Sequence, residues 1–376
     1  MPPRPPLHLA GVVSALLPWF RRHRRAMPWR AEPGQAADPY RVLVSEAMLQ
    51  QTRVETVERY FERFVSLFPD AASLAAAGEQ EVLAAWAGLG YYRRARNLHA
   101  AAKAVVAEHG GAVPRTAEQL LGLPGVGRYT AGAVASIAFG EPAPILDGNV
   151  MRVLARLHAI EEPVDRPATQ KRLWAEAAAL VRAAADRGAQ SGDGEAVRNF
   201  NQALMELGAL VCTPKRPSCL ACPLREACRS AGTARAERLP RKTPKKAPQR
   251  VTHEVLAIER GGAWLFEQRP ATGMWAGMWQ MPTREDGAAD ADWARERLGL
   301  AVRINDGEPG VFEHATTHRL VGFRVRTGRT VGGRLRPGAG VWRKPGTRSF
   351  AQLPVARPVQ RIVAMVAAQP GRESGV

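Results

Sequence analysis

Outside residues 212–228 the 376-residue chain has no cysteine; all four cysteines fall inside that one stretch. Small secreted domains stapled by disulfides spread their cysteines through the fold. This distribution excludes that class and leaves one compact thiol group to explain. No apolar run is long enough to span a bilayer. Leu7 to Phe20 is apolar but runs into Arg21-Arg22-His23-Arg24-Arg25 without a small-residue cleavage site, so it reads neither as a membrane span nor as a signal peptide. Leu9, Val13, Leu16, Leu17 and Phe20 fall at helical spacing and predict an amphipathic surface helix. A cytoplasmic chain with no membrane attachment is expected.

Acidic residues are also in deficit: 35 Asp and Glu stand against 53 Lys and Arg, a net charge of +18. Such an excess favours a polyanionic partner, although an Arg-rich composition also follows from GC-rich coding. A chain of this length exceeds one ordinary core and predicts at least two domains. Up to about residue 210 it contains no convincing strand.

What is present is organised around residues 120–149. A short helix ends near Leu121, Leu123-Pro124-Gly125-Val126-Gly127 forms a hairpin, and a second helix opens at Arg128. Gly125 and Gly127 suit a backbone that turns sharply and must approach something closely. The helix that follows points its unpaired amides and positive dipole end at whatever lies against the hairpin, which makes a phosphate seat. Asp147 follows in Leu-Asp-Gly-Asn, with Gly148 free to bend the chain behind it.

Helices are expected on both sides. Asp38-Pro39 reads as an N-cap with proline at the first helical position, opening a helix through Glu46 to about Gln50. Thr52-x-x-Glu55 reads as a capping box for the next, with Val54, Val57, Phe61, Phe64 and Phe68 as its buried stripe. Gln50 and Gln51 then sit at a helix–helix corner, where adjacent amides are either inert or probe a base stack. Ser73 to Gly88 predicts another helix, ending in Gly88-Leu89-Gly90-Tyr91-Tyr92 followed by three arginines within four residues. That pattern suits a loop that contacts phosphates and wedges into a duplex, or a helix end with solvated cations. Helices continue to His109, Thr116-x-x-Gln119 caps the hairpin's first helix, and amphipathic helices fill 150–210.

Cys212, Cys219, Cys222 and Cys228 are separated by six, two and five residues. Zinc sites commonly pair two C-x-x-C knuckles, and this run has one, so a [4Fe–4S] cluster fits better. Lys215, Arg216, Arg225 and Arg229 interleave with the thiols and bring positive charge to a DNA backbone. Residues 233–250 are basic and Pro-rich, the composition of a linker. From Val251 onward strand-like runs (251–258, 263–269, 319–326) alternate with helices near 291–298 and 359–368, an α+β domain of residues 251–370.

Hairpin, Asp147 and cysteine run together resemble the helix-hairpin-helix DNA glycosylase superfamily, specifically its endonuclease III-like branch. Bifunctional members carry a lysine nucleophile directly after the hairpin arginine; here that position is Tyr129. Glu46 in Ser-Glu-Ala-Met-Leu-Gln-Gln-Thr, Pro28-Trp29-Arg30, Gly88-Leu-Gly-Tyr-Tyr92 and the C-terminal domain are similar to the MutY-type adenine DNA glycosylases. The C-terminal domain resembles the Nudix fold, but its helix, Trp293-Ala-Arg-Glu-Arg-Leu-Gly-Leu, lacks the acidic run that holds magnesium in Nudix hydrolases.

The resemblance implies a multidomain architecture. An all-α helix-hairpin-helix glycosylase domain would span residues 1–232, with the hairpin unit at about 116–140 and an iron–sulfur loop at 212–228. A linker (233–250) and an α+β Nudix-like lesion-recognition domain (251–370) would follow. It implies a monofunctional base-excision repair glycosylase that hydrolyses adenine from mispairs with 8-oxoguanine or guanine in double-stranded DNA. Such a protein would act as a monomer at a bacterial nucleoid. By the same carry-over Glu46 is the general acid, Asp147 stabilises the oxocarbenium ion, and Tyr129 and Asn149 orient the pair. Trp29, Arg30 and Gln202 line the adenine pocket. Gln51, Thr52, Leu89 and Tyr91 contact the stack, while Gly125, Gly127 and Arg128 hold phosphate. Thr317 and His318, in His314-Ala315-Thr316-Thr317-His318, read the lesion in place of a Phe-Ser-His tip; Thr316 stands where the aromatic would be. Cys212, Cys219, Cys222 and Cys228 ligate the [4Fe–4S] cluster.

Three alternatives share parts of this pattern. A bifunctional lyase would need an amine at position 129. A helix-hairpin-helix module that only binds DNA would not require both Glu46 and Asp147. A nucleotide-pool hydrolase would require the acidic helix that is missing.

Overall fold

The computed structural model describes residues 8–244, 247–316 and 318–368. By internal contacts the chain divides into two units, Met1–Ala76 with Arg96–Pro244, and Ala77–Ala95 with Lys245–Val376. The stretch 77–95, placed by sequence among the helices of the first domain, packs with the second unit.

Eleven helices run in order through residues 9–210: α1 (Leu9–His23), α2 (Pro39–Leu49), α3 (Val54–Leu67), α4 (Ala71–Ala76), α5 (Glu79–Ala85), α6 (Arg93–His109), α7 (Ala117–Leu121), α8 (Arg128–Phe139), α9 (Gly148–Leu157), α10 (Pro167–Ser191) and α11 (Ala196–Leu210). The expected surface helix α1 buries Val12, Val13, Leu16, Leu17, Trp19 and Phe20 and packs on α10 and α11. Its burial thus extends beyond the predicted stripe. Asp38 caps α2 as its sequence predicts, its carboxylate accepting from the amides of Tyr40 at 2.8 Å and Arg41 at 3.2 Å.

Two local expectations fail. The capping box of α3 does not form: Arg53 is the N-cap, without a side-chain bond. Thr52 lies one residue too early, and its amide donates to Leu49 O at 3.2 Å to close the turn after α2. The single helix expected over 73–88 is broken at Gly78, whose amide donates to the Glu81 carboxylate at 2.8 Å and starts α5 afresh.

The expected linker is only partly free. Residues 235–238 form a helical turn, α12 (Arg235–Arg238), and Ala236 and Leu239 are buried. Glu161 accepts from Arg235 and Arg241, and Asp165 from the Thr243 amide. These buried side chains and polar contacts dock the basic segment onto the helical unit up to Pro244.

The second unit is built on an eight-stranded sheet. Its strands are β1 (Gln249–Arg260), β2 (Ala263–Gln268), β3 (Trp279–Gln280), β4 (Thr283–Arg284), β5 (Leu300–Ile304), β6 (Gly310–Ala315), β7 (Arg319–Gly333) and β8 (Val341–Arg343). Helices α13 (Ala291–Leu298), α14 (Arg348–Ala351) and α15 (Arg357–Ala367) accompany them. The main order is β3-β2-β1-β7-β5, with β1 and β7 parallel from Gln249↔Arg319 to Glu259↔Arg329. Alternate residues of β1 enter opposite cores, because successive side chains in a strand point to opposite faces. Val255 and Ala257 join the side covered by α15, with Phe312, Phe323, Ile362 and Val366. Leu256 and Ile258 join the side covered by α13, with Ala294 and Leu298. The antiparallel β6–β7 hairpin ends at Ala315↔Leu320. Thr316 closes its tip, donating to Arg319 O and accepting from the Arg319 amide, both at 3.0 Å.

Among the described residues no helix is long and apolar enough to cross a membrane.

Candidate active site

A cavity of about 410 Å³ opens in the helical unit. Five stretches distant in sequence (25–30, 42–54, 129–137, 147–149 and 202–209) supply its walls. Nine of the residues singled out by sequence meet there: Trp29, Arg30, Glu46, Gln51, Thr52, Tyr129, Asp147, Asn149 and Gln202. The two carboxylates therefore face one space, as a shared substrate requires.

Glu46 sits on α2, whose residues Val42 to Met48 are all buried, and is itself 4% exposed. Burial pushes its carboxyl up to about 7, and the charge of Asp147 adds to this. A hydrogen bond from Tyr129 and the charge of Arg30 oppose it. The Tyr129 hydroxyl donates to Glu46 Oε2 at 2.7 Å. Tyr129 lies in the first turn of α8, so the hairpin helix presents this phenol to the cavity.

Asp147 is the N-cap of α9, accepting from the Val150 amide at 2.7 Å and from Asn149 Nδ2 at 3.0 Å. Burial raises its pKa, while the Val150 and Asn149 donors and the Arg152 cation favour the charged form. Asn149 is held in turn by Arg152 Nη2 at 2.8 Å, which also donates to Gly208 O at 2.6 Å, while Arg152 Nε donates to Cys212 O at 2.7 Å. This close approach of α9 to α11 depends on Gly208: a Cβ there would lie 2.7 Å from the Asn149 Cβ.

Sequence reasoning missed Glu206, Arg25 and Met205, which also line the cavity. Glu206 is four residues beyond Gln202 on α11, one turn along the same face, a spacing that could have revealed it. Burial alone would raise its carboxyl, but Arg25 and Arg30 hold it below the ordinary value. Arg25 donates to it at 2.9 and 3.1 Å, and Arg30 at 3.4 Å. Arg30 in turn lies 5.4 Å from the Phe20 ring centroid, and Trp29 packs edge-on against Phe61 at 5.3 Å. The cavity thus combines a buried acid, a salt-bridged cation–anion pair and aromatic walls.

Gln51 lines the cavity at the α2–α3 corner with φ of 59°, a conformation unusual for a non-glycine residue. Gly125 has φ of +73°, and a Cβ there would collide with Asn97. Gly127 has ordinary extended backbone, and a Cβ there would meet open space. Any close approach it permits is therefore to something outside the protein. Arg128 stacks 3.9 Å over the Trp174 ring. Leu89 (buried) and Tyr91 (exposed) fall in the second unit. His318 is an exposed residue of the β6–β7 tip whose carbonyl accepts from the Gln249 amide; Thr317 lies outside the described residues.

None of the four cysteines is in a disulfide. Burial pushes the Cys222 thiol up to about 11, and Cys212, Cys228 and Cys219 add to this, so the four lie within electrostatic reach of one another. Among the described residues no three Cys, His, Asp or Glu side chains converge tightly enough to hold a metal ion. Arg156 Nη1 donates to Cys212 Sγ at 3.2 Å.

Comparison with known proteins identifies the families that the chain resembles. Residues 44–178 match the HhH-GPD superfamily base excision DNA repair protein family, and residues 254–365 match the NUDIX domain. The structure of a thermostable thymine-DNA glycosylase superposes with a TM-score of 0.51 at 30% identity, covering 59% of this chain and 96% of that one. Fold and cavity thus define the class: a helical HhH-GPD domain followed by a Nudix domain. Adenine DNA glycosylase of Buchnera aphidicola (subsp. Schizaphis graminum) is 32% identical over 282 residues, 75% of this chain and 77% of that protein. The human adenine DNA glycosylase is 39% identical over 320 residues, 72% of this chain and 57% of that protein. The chain belongs to the adenine DNA glycosylase family. The matched region spans only 57%, 62% and 63% of the human, mouse and rat relatives.

Proposed function

We propose that this chain is a monofunctional glycosylase that hydrolyses adenine from mispairs with 8-oxoguanine or guanine in duplex DNA. The observation that carries this reading is Glu46: a carboxyl held near pKa 7 in a cavity it shares with Asp147.

Adenine leaves its sugar poorly as an anion. A carboxylic acid that remains protonated near neutral pH can protonate ring nitrogen 7 of an extruded adenine, a step worth roughly 100- to 10,000-fold in rate. The C1′–N9 bond then breaks with its electron pair going to the protonated base. The sugar is left as an oxocarbenium ion, which the Asp147 carboxylate stabilises electrostatically. Water adds to C1′ and loses a proton, leaving an abasic sugar. Tyr129, in place of a lysine, offers no amine to attack that sugar, which supports hydrolysis without strand cleavage. Arg30 as donor and Glu206 as acceptor supply complementary groups for the edge of the flipped base.

The four thiols suit a [4Fe–4S] cluster. They lie within electrostatic reach of one another, and Arg156 Nη1 donates to Cys212 Sγ at 3.2 Å. Bound by Cys212, Cys219, Cys222 and Cys228, the cluster would cross-link the loop that receives Arg152 from α9. The hairpin at Gly125–Arg128 would seat phosphate, and the 251–370 domain, through Thr317 and His318, would read the lesion.

The deciding experiment incubates the protein with end-labelled duplex carrying adenine opposite 8-oxoguanine. Strand breaks that appear only after alkali, with no adduct trapped by borohydride, support the reading. Breaks without alkali, or a trapped adduct, would show lyase chemistry instead.

A further inference from the structure

Tyr91 is 48% exposed and held at φ of 50°. A bulky residue keeps a left-handed backbone only where its surroundings enforce it. Part of the enforcement is local. Trp86 Nε1 and Arg94 Nη2 both donate to Gly90 O at 3.2 Å, and the Arg94 guanidinium lies 5.6 and 5.3 Å from the Trp86 and Tyr91 ring centroids.

The rest comes from the far end of the chain. The hydroxyl of Tyr92, a residue 6% exposed, accepts from the Gly88 amide at 3.2 Å and donates to Val355 O at 3.3 Å. Val355 is bridged to Trp279, whose Nε1 donates to Gln80 Oε1 at 3.2 Å, and Gln80 Nε2 donates to Gly277 O at 3.4 Å. One hydroxyl and one side-chain amide therefore tie the glycine turn on either side of Tyr91 to the body of the Nudix unit. Residues 77–95 cluster with that unit and not with their sequence neighbours.

We propose that Tyr92, assisted by Gln80, is a positioning residue through which the C-terminal unit sets the posture of Tyr91 against the DNA stack. The unit that reads the base opposite adenine then also holds the probe, and selectivity for that base is transmitted in part through this latch. The inference rests on the functional reading above.

The test uses Tyr92→Phe in the full chain, which keeps the ring and removes only the hydroxyl. Single-turnover base release is measured with adenine opposite 8-oxoguanine and opposite guanine. In parallel, a fluorescent purine analogue beside the 8-oxoguanine reports insertion into the stack on binding. The expected result is a roughly three- to tenfold fall in the 8-oxoguanine-to-guanine rate ratio, the size of one lost hydrogen bond. A smaller fluorescence change and no further effect in a Tyr91→Ala background are expected as well. Gln80→Ala should move both readouts in the same direction.

An unchanged ratio and fluorescence response in Tyr92→Phe, or effects that add fully to those of Tyr91→Ala, would overturn the proposal. A loss of thermal stability alone would likewise make Tyr92 merely structural. If the unaltered chain releases no base from either duplex, the functional reading fails. The fluorescence cycle, which needs binding only, still decides the role of Tyr92.

Discussion

The hydroxyl of Tyr129 donates to Oε2 of Glu46 at 2.7 Å, so the residue at the position of a lyase lysine binds the proposed proton donor. This bond favours the carboxylate and draws the Glu46 pKa down against burial. Tyr129→Phe should therefore raise that pKa further. The protonated form would persist to higher pH, and the alkaline fall of the single-turnover rate would move upward. A pH–rate profile of the two proteins checks the direction; a shift downward would contradict the geometry.

Glu46→Gln should abolish base release while leaving duplex affinity nearly intact. It should also stabilise the fold at pH 8. The carboxyl pKa is raised from an ordinary 4.5 to about 7, so the folded state binds more protons than the unfolded one across that window. Stability from this group is then lost as pH rises through about 7, where the buried charge becomes a cost of about 1–3 kcal/mol. Thermal melts at pH 8 should show a higher Tm for the variant, and the difference should vanish below pH 4.5, where both states are protonated.

Asp147 combines a helix cap with the proposed catalytic charge, and substitutions can separate them. Asn keeps an acceptor for the Val150 amide, so Asp147→Asn should melt close to the unaltered chain yet lose roughly 100- to 1,000-fold in rate, the size of one missing electrostatic stabiliser. Asp147→Ala should add a stability loss of about 0.5–2 kcal/mol from the missing cap. Denaturant titration beside single-turnover kinetics distinguishes the two.

Gly125→Ala forces a left-handed backbone on alanine and drives its Cβ into Asn97. The hairpin should distort and duplex affinity fall whichever base lies opposite adenine. For the unaltered protein affinity should drop steeply with salt, and Arg128→Ala should reduce the slope of log K against log salt by about 1. Binding isotherms over a salt series measure both.

On the proposed reading, in which the exposed His318 at the β6–β7 tip contacts the partner base, His318→Ala should narrow the preference for 8-oxoguanine over guanine without reducing the guanine rate. Paired rate measurements on the two duplexes check it; an unchanged ratio would remove the tip from lesion reading.

Much of this was legible in sequence because it is local. The 3.6-residue stripe of α3, the cap at Asp38, the hairpin between α7 and α8 and the limits of α13 depend on neighbours within a few positions. Short strands such as β3, β4 and β8 carry no period of their own and exist only because a partner strand lies beside them. The family pattern also supplied Glu46 and Asp147. It could not supply Glu206 or Arg152, ordinary charged residues on helices whose partners, Arg25, Arg30, Asn149 and Gly208, come from other elements.

The sequence by itself determined most of the helices and the longer strands, which residues could serve as acid, stabilising anion and thiol ligand, and that no amine stands at position 129. Tertiary structure alone decided that Glu46 is buried deeply enough to hold a proton near pH 7, that Asp147 faces the same cavity, and that the Tyr91 turn belongs with the Nudix unit. The reason is physical: periodicity and capping act over a few residues, whereas desolvation and long-range hydrogen bonds depend on what the folded chain brings alongside.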